Sequence, residues 1–220
     1  MEVRHSLLNA DIKTMAEVKP KRSLSSTKAD AILDGAMQEF LVHGYAATTM
    51  DRVAAAAGVS KATVYSHFGD KESLFAALVK NMAQQKISTL FGPQTLKGDP
   101  RKVLPLFFTK ALNQITCDSQ HLAFIRLIIG ESGRFPQLAQ IFVRNMSKPG
   151  LDILCQYLES QPYLEFADPE ATARIVVGTM VHYIQLQEML HGHEIVPMEK
   201  ERLLETLTHM VISSAVPKTD

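Results

Sequence analysis

The sequence is poor in the residues that mark secreted or membrane proteins. It has no tryptophan and only two cysteines, Cys117 and Cys155, in 220 residues, which excludes a disulfide framework. Their neighbours predict buried or half-buried helix positions, where each thiol is a small apolar filler. The longest run without Asp, Glu, Lys or Arg is 175–187, shorter than the about 20 residues of a membrane helix. With no hydrophobic signal core near the N-terminus, we expect a cytoplasmic protein that contacts no membrane.

The sequence also lacks an excess of either charge. It has 23 basic and 23 acidic residues, which excludes a uniformly basic protein but leaves local basic surfaces open. One such segment holds Lys19, Lys21, Arg22 and Lys28, with no acidic residue among them. Residues 1–26 therefore predict a flexible basic arm. It is either a solvated tail or a segment that contacts DNA.

Apolar residues recur with the period of an α-helix from Thr27 onward, and no stretch alternates apolar and polar residues as a strand would. We therefore expect an all-α protein of about nine helices. Pro149-Gly150 predicts a kink or break inside one of them. The expected helices are 27–44, 50–57, 61–68, 70–90, 101–116, 119–130, 136–160, 169–190 and 198–213.

Residues 49–68 contain two short helices joined by a tight turn, the pattern of a helix-turn-helix unit. The small side chains of residues 54–57 let the helices approach closely, and Gly58 permits a left-handed turn. Thr48 or Thr49 can cap the first helix and Ser60 the second. An apolar seam between the helices is expected from Val53, Val59, Val64 and Phe68. The second helix, about 12 Å long, matches the width of a DNA major groove.

The second helix presents a polar face with almost no acidic residue, as expected where a surface meets phosphates and base edges. Its sequence, with Gly44-Tyr45-Ala46-Ala47-Thr48-Thr49-Met50 before it and His67-Phe68-Gly69-Asp70-Lys71-Glu72 after it, resembles the DNA-binding domain of the TetR family of bacterial transcriptional repressors. The resemblance covers about 60 residues. It departs at Gly35, where the family commonly has Ala and where Gly is a weak helix position.

The polar face and the resemblance together predict the residues that contact DNA. The resemblance implies that Thr49, Tyr65 and His67 bind phosphates and that Lys61 to Thr63 reach bases or nearby backbone. Lys71 would clamp another phosphate at the start of the next helix, where helix N-termini attract anions. The full predicted set is Thr49, Arg52, Ser60, Lys61, Ala62, Thr63, Tyr65, Ser66, His67 and Lys71.

The C-terminal part carries a weaker resemblance. Phe124 to Leu138 is similar to a stretch that recurs in an AcrR- and AefR-like subgroup, which implies a helical domain with an internal ligand pocket and a dimer interface from the last two long helices. We expect a DNA-binding domain at 27–86 and an effector-binding and dimerisation domain at 92–215. The apolar stripes of 169–190 and 198–213 suit either a dimer interface or burial inside one chain. Polar residues embedded in these apolar helices are candidates for a ligand pocket: His121, Arg126, His182, Tyr183 and Gln185. Buried polar residues whose hydrogen bonds are satisfied within the core would explain them as well.

No set of residues suits catalysis, so we expect a protein that is not an enzyme and uses no metal or cofactor. A Glu-x-x-His pair occurs at Glu188/His191 and at Glu2/His5, but a di-iron bundle needs two such pairs on facing helices and two more Glu. His191-Gly192-His193 is interpreted as a polar helix end. The sequence predicts a dimeric repressor that binds double-stranded DNA at a near-palindromic operator and is released by a small-molecule effector. The alternative is a helical protein-interaction adaptor without sequence-specific DNA binding.

Overall fold

The structure is a computed structural model that describes residues 24–90 and 96–218. The described part of the chain folds into nine helices. This confirms the expected all-α fold. The helices are α1, Leu24–Ala47; α2, Met50–Ala56; α3, Lys61–Phe68; α4, Lys71–Leu90; α5, Pro100–Thr116; α6, Ser119–Glu131; α7, from Pro136–Phe142 through Val143–Ser147 to Lys148–Glu159; α8, Pro169–Tyr183 continued by Ile184–Met189; and α9, Lys200–Ser213. None of these described helices is long and apolar enough to cross a membrane.

Three local expectations need correction. Helix α1 begins at Leu24, so the end of the expected arm at 24–26 is helical, while 1–23 lie outside the described residues. Two short strands, β1 (Leu164–Glu165) and β2 (Val216–Pro217), pair antiparallel; two residues are too few to show alternation. Cys117 is exposed, because it ends α5 instead of facing the core.

The expected distortion near Pro149 is present, one turn before the proline. Residues Val143–Ser147 form a π-helix inside α7, and Pro149 then occupies the first turn of the following α-helix. Proline has no N–H and its ring clashes with the preceding turn, so a wider turn there is a common solution. A second π segment, Ile184–Met189, ends α8.

Two hydrophobic clusters hold the chain together. The first joins α1 to α4 and includes Phe124 and Ile128 of α6 and Leu138 of α7. The second is built mainly from α5, α7, α8 and α9 with Leu122 of α6, and it includes the fully buried Phe108. The ring centroids of Phe75 on α4 and Phe124 lie 5.4 Å apart. Helix α6 therefore belongs to the core beneath the helix-turn-helix as much as to the C-terminal half.

Gly35 has a packing role that the sequence did not indicate. A Cβ atom placed at Gly35 would lie 2.9 Å from the backbone nitrogen of Ala57, closer than side-chain carbons approach. Helix α1 therefore crosses the end of α2 in direct backbone contact. The glycine is required by this crossing, and its cost in helix propensity is offset by the close packing.

Candidate functional site

The helix-turn-helix is set by two N-caps and one left-handed glycine. The Thr49 hydroxyl accepts from the backbone N–H of Arg52 at 3.3 Å, and the Ser60 hydroxyl accepts from Thr63 N–H at 3.2 Å. Gly58 has φ +65°, a conformation that other residues rarely adopt. Val53 on α2 and Val64 on α3 are fully buried. These contacts confirm the expected turn and fix the angle between α2 and α3.

Thr48, which the sequence offered as an alternative cap, has a structural role instead. Its side chain is 1% exposed, and its hydroxyl oxygen lies 3.0 Å from the carbonyl oxygen of Glu39 and 2.8 Å from that of Gly44. It closes the end of α1, where the helix is interrupted at Gly44. The adjacent Thr49 is thereby presented at the surface.

Nine of the ten predicted DNA-contacting residues lie on α2, on α3 or at their caps. Most are exposed. Tyr65 has 45% of its surface accessible, so its aromatic ring does not lie in the hydrophobic core. Thr63 and His67 are half-buried. The Ser60 and Thr63 hydroxyl oxygens lie 2.8 Å apart, and Ser66 donates to the carbonyl of Thr63 at 2.9 Å. Helix α3 therefore offers a continuous polar surface.

Lys61, the first residue of α3, is paired with a carboxylate. Its Nζ atom lies 2.8 Å from Oδ1 and 2.9 Å from Oδ2 of Asp51 on α2. The hydrogen bond and the charge of Asp51 raise the pKa of Lys61. Lys61 also lies 5.8 Å from the centre of the Tyr65 ring. Nothing in the spacing of the two residues predicted this pair.

Lys71 lies at the start of α4 and binds backbone groups. Its ammonium donates to the carbonyl oxygens of Tyr45 (2.8 Å), Ala46 (3.2 Å) and Thr48 (2.9 Å) and lies 4.5 Å from the Tyr45 ring centre. Burial lowers the pKa of Lys71. The three bonds use all three donors of the ammonium group. A phosphate contact by Lys71 stays a prediction, and it would replace at least one of these bonds.

The predicted pocket residue His121 is buried in the C-terminal half, beside an ion pair. Asp118 caps α6 by accepting from His121 N–H at 2.9 Å, and it also accepts from Lys86 of α4 at 2.6 Å. Burial opposes the ionisation of Asp118, but these two bonds outweigh it and its pKa is lowered. Burial and the Lys86 charge lower the pKa of His121 to about 4. The ring is therefore neutral near pH 7, and its Nδ1 has no hydrogen-bond partner among the described residues.

The other four predicted pocket residues lie on α6 and α8 and are less buried than His121. Arg126 donates to the carbonyl oxygens of Glu188 and Met189, at 2.9 and 3.3 Å, and so ties α6 to the end of α8. His182 and Gln185 are exposed on α8, whereas Tyr183 is half-buried and packs against the second cluster. A role of these residues in an effector pocket stays a prediction.

Two clefts of about 390 and 590 Å³ lie elsewhere in the described C-terminal half. The smaller is lined by residues 96–101, by Tyr157 and by residues 160–164, and the larger lies between α7 and α8. None of the five predicted pocket residues lines either cleft. Periodicity located polar residues within apolar helices, but the cavity walls depend on how the helices pack.

The apolar stripes of α8 and α9 divide into two faces. Val176, Leu204 and Leu207 are buried in the second cluster. Ile175 and Met210 are 60% and 61% exposed, and a Cβ atom at Gly178 would meet no atom within 4 Å. Burial inside the chain therefore accounts for the inner face, whereas a dimer interface on the exposed outer face stays a prediction.

The histidines near the end of α8 form a helix end. His193 Nδ1 lies 2.8 Å from the carbonyl oxygen of Gln187, and His191 adopts φ +56°. Within residues 24–90 and 96–218 no group of three or more His, Cys, Asp or Glu side chains could hold a metal ion. The pair Glu2/His5 lies outside the described residues.

Two family models match the chain. Residues 32–78 match the model for bacterial regulatory proteins of the tetR family. Residues 106–213 match the model for the C-terminal domain of AefR-like transcriptional repressors. The two matches fall on the helix-turn-helix with its core and on the C-terminal helices.

Named relatives and a solved structure agree with these matches. The chain is 28% identical over 191 residues to the uncharacterised HTH-type transcriptional regulator YvkB of Bacillus subtilis, which covers 82% of this chain and 93% of that protein. It is 46% identical over 52 residues to the HTH-type transcriptional repressor AcnR of Corynebacterium glutamicum, or 24% of this chain and 28% of that one. The solved structure of the flavonoid-responsive regulator FrrA is 31% identical, with a TM-score of 0.69, over 87% of this chain and 98% of that chain.

Proposed function

Because the chain belongs to the TetR family of bacterial transcriptional regulators and is thus a DNA-binding protein, we propose that it is a repressor of a near-palindromic operator. In this proposal a homodimer places two copies of α3 in successive major grooves, about 34–36 Å apart. A small-molecule effector bound in the C-terminal domain releases the operator. The proposal keeps the predicted domain limits, 27–86 for DNA binding and 92–215 for effector binding and dimerisation.

The observation that carries the proposal is the surface of α3. Apart from Ala62, its exposed side chains are hydrogen-bonding groups, and the helix is fixed by Ser60 at one end and by the buried Val64 beneath. A fixed polar helix suits the reading of base edges, and Thr49, Tyr65 and His67 lie where phosphate contacts would fix its register. We assign base contacts to Lys61 and Thr63. Arg52, Ser60, Ala62 and Ser66 complete the proposed surface.

The uncovered face of α8 and α9 supports the homodimer. Ile175 and Met210 are exposed apolar side chains, and Gly178, three residues after Ile175 on α8, leaves room for a second helix. An isologous pairing would bring the same face of the partner chain against it. Two recognition helices related by a two-fold axis would then match the symmetry of a near-palindromic site.

Helix α4 supports a route from effector to DNA because it is fastened at both ends. Lys71 binds the carbonyl oxygens at the end of α1, next to the helix-turn-helix, and Lys86 binds Asp118 in the C-terminal half. An effector that favours another position of α4 would therefore change the spacing of the two α3 helices. The similarity to a flavonoid-responsive regulator makes a panel of flavonoids the first ligands to test.

The proposal is tested by selecting bound duplexes from a random pool and measuring affinity by fluorescence anisotropy. We expect one near-palindromic sequence to be preferred, and affinity to fall steeply as salt rises because phosphate contacts release counterions. Light scattering at micromolar concentration should give a dimer. Binding without sequence preference at low salt, or a monomer, would contradict the repressor.

The same titration separates the alternative function. An adaptor that binds other proteins through apolar faces would show no steep salt dependence and no preferred duplex. The family matches favour the regulator, and no described contact favours the adaptor. For the effector, a flavonoid or other small molecule must shift both operator affinity and the melting temperature; if none does, effector control is not supported.

A further inference from the structure

Asp51 is an acidic residue at the surface that the proposed function turns toward DNA. It lies in the first turn of α2, two residues after the cap Thr49, and both of its carboxylate oxygens approach the Lys61 ammonium, at 2.8 and 2.9 Å. Both side chains are exposed, at 59% for Lys61 and 61% for Asp51. A carboxylate placed here works against binding of a polyanion, so its presence calls for a role.

The position of Lys61 explains why the pair forms. Lys61 is the first residue of α3, and the first turn of α3 contains no acidic side chain. A cation at a helix N-terminus faces the positive end of the helix dipole. The Asp51 carboxylate offsets that repulsion and directs the ammonium toward α2. Because both side chains are so exposed, the pair is weak and another acceptor can replace the carboxylate.

We propose that Asp51 determines specificity by holding the Lys61 ammonium away from phosphates until a base edge replaces the carboxylate, an inference that rests on the proposed function. On arbitrary DNA, affinity comes almost entirely from phosphate neutralisation. A lysine paired with Asp51 must give up that bond before it can neutralise a phosphate, so it adds less to this affinity, and the carboxylate repels the phosphates. At the operator, a guanine presents two acceptors, O6 and N7, that a lysine can bind. Asp51 therefore weakens non-specific binding more than operator binding.

The test compares Asp51→Asn with Asp152→Asn, a matched control in α7. Asp152 accepts from Lys148 at 2.6 Å, and this pair is also exposed, so both variants remove one charge and one exposed bond to lysine. Each full-length variant is titrated with the selected operator and with a scrambled duplex of the same composition, at several salt concentrations. Thermal melting verifies that each variant is folded.

For Asp51→Asn we expect binding to the scrambled duplex to tighten about fivefold to tenfold and the salt slope to steepen by about one, because Lys61 gains a phosphate. Operator affinity should change less, so the ratio of the two affinities falls. Asp152→Asn should leave the ratio as in the unmodified protein. An unchanged ratio in Asp51→Asn, while the unmodified protein prefers its operator, overturns this inference alone. No operator preference in the unmodified protein overturns the proposed function and this inference together.

Two further variants distinguish the pair from a plain change of net charge. In the double variant Asp51→Asn/Lys61→Gln the gain on scrambled DNA should disappear; a gain of the same size would overturn the inference. Lys61→Gln alone should weaken operator binding about tenfold and binding to the scrambled duplex much less. Equal losses of affinity on both duplexes would show that Lys61 does not discriminate between them, and would overturn the inference whatever Asp51→Asn does.

Discussion

The helix-turn-helix and the C-terminal half are held by hydrogen bonds of different reach along the chain. In the helix-turn-helix, the caps at Thr49 and Ser60 join residues three apart, and the Asp51–Lys61 pair joins residues ten apart. In the C-terminal half, Arg126 binds carbonyl oxygens 62 and 63 residues away, and Lys200 binds Asn113 across 87 residues. The two caps follow from short sequence patterns, whereas the Asp51–Lys61 pair and the distant bonds of the C-terminal half depend on how helices pack. The caps of the helix-turn-helix can therefore be predicted from the sequence, and the contacts between helices cannot.

Helix α6 does not fit the division into two halves, because it lies in the C-terminal half of the chain but packs into the first cluster. Phe124→Ala should cost roughly 3–5 kcal/mol, because Phe124 is fully buried against Phe75. We expect faster hydrogen exchange in α1 to α4 and weaker DNA binding. Phe108→Ala, equally buried in the second cluster, should instead speed exchange mainly in α5, α8 and α9. Unchanged exchange in α1 to α4 of the Phe124 variant would show that the two halves are independent.

The buried His121 should make the C-terminal half sensitive to acid. Its folded-state pKa of about 4 lies below its ordinary value of 6.5, so the unfolded chain takes up the proton first as the pH falls. The stability present above pH 6.5 is then lost progressively toward pH 4, by up to about 3 kcal/mol. Lys86 opposes protonation and Asp118 favours it, as the charged groups beside the ring.

Urea unfolding at pH 7 and pH 4.5 measures the effect of His121. His121→Gln should flatten the pH dependence between these values, because a glutamine takes up no proton. The exposed His209→Gln on α9 is the matched control. An unchanged pH dependence in His121→Gln would assign the acid sensitivity to carboxylates alone.

Lys71 lies beside the helix-turn-helix, but its hydrogen bonds span 23 to 26 residues. Its bonds are therefore intermediate between the local caps and the distant bonds of the C-terminal half. Lys71→Met should lower the free energy of unfolding by about 2 kcal/mol, because three backbone carbonyls lose a charged donor. Lys80→Met, at an exposed position of the same helix, should have little effect. Thermal melting and salt-dependent DNA titration give both readouts. Full stability with a salt slope reduced by about one would instead support the phosphate contact that the family resemblance implies.

Much of the fold could be predicted because its signals are local. The expected 61–68 helix matches α3, since Ser60 and the glycine at 69 mark both ends. Helix α1 was expected from Thr27, but it begins at Leu24, because helix starts without a strong cap are weakly marked in sequence. The role of Gly35 was missed for a different reason. Its partner Ala57 lies 22 residues on, and only the crossing of α1 over α2 brings the two together.

By itself, the sequence determined that the chain is helical, where the helix-turn-helix lies and which side chains its second helix presents, because periodicity, caps and turn glycines act within a few residues. Only the tertiary structure decided that Lys61 is held by Asp51, that Lys71 binds the end of α1, and that Arg126 ties α6 to the end of α8. Those outcomes depend on the relative positions of helices. Helix packing sums many weak contacts between residues far apart in the chain, and no short pattern encodes it.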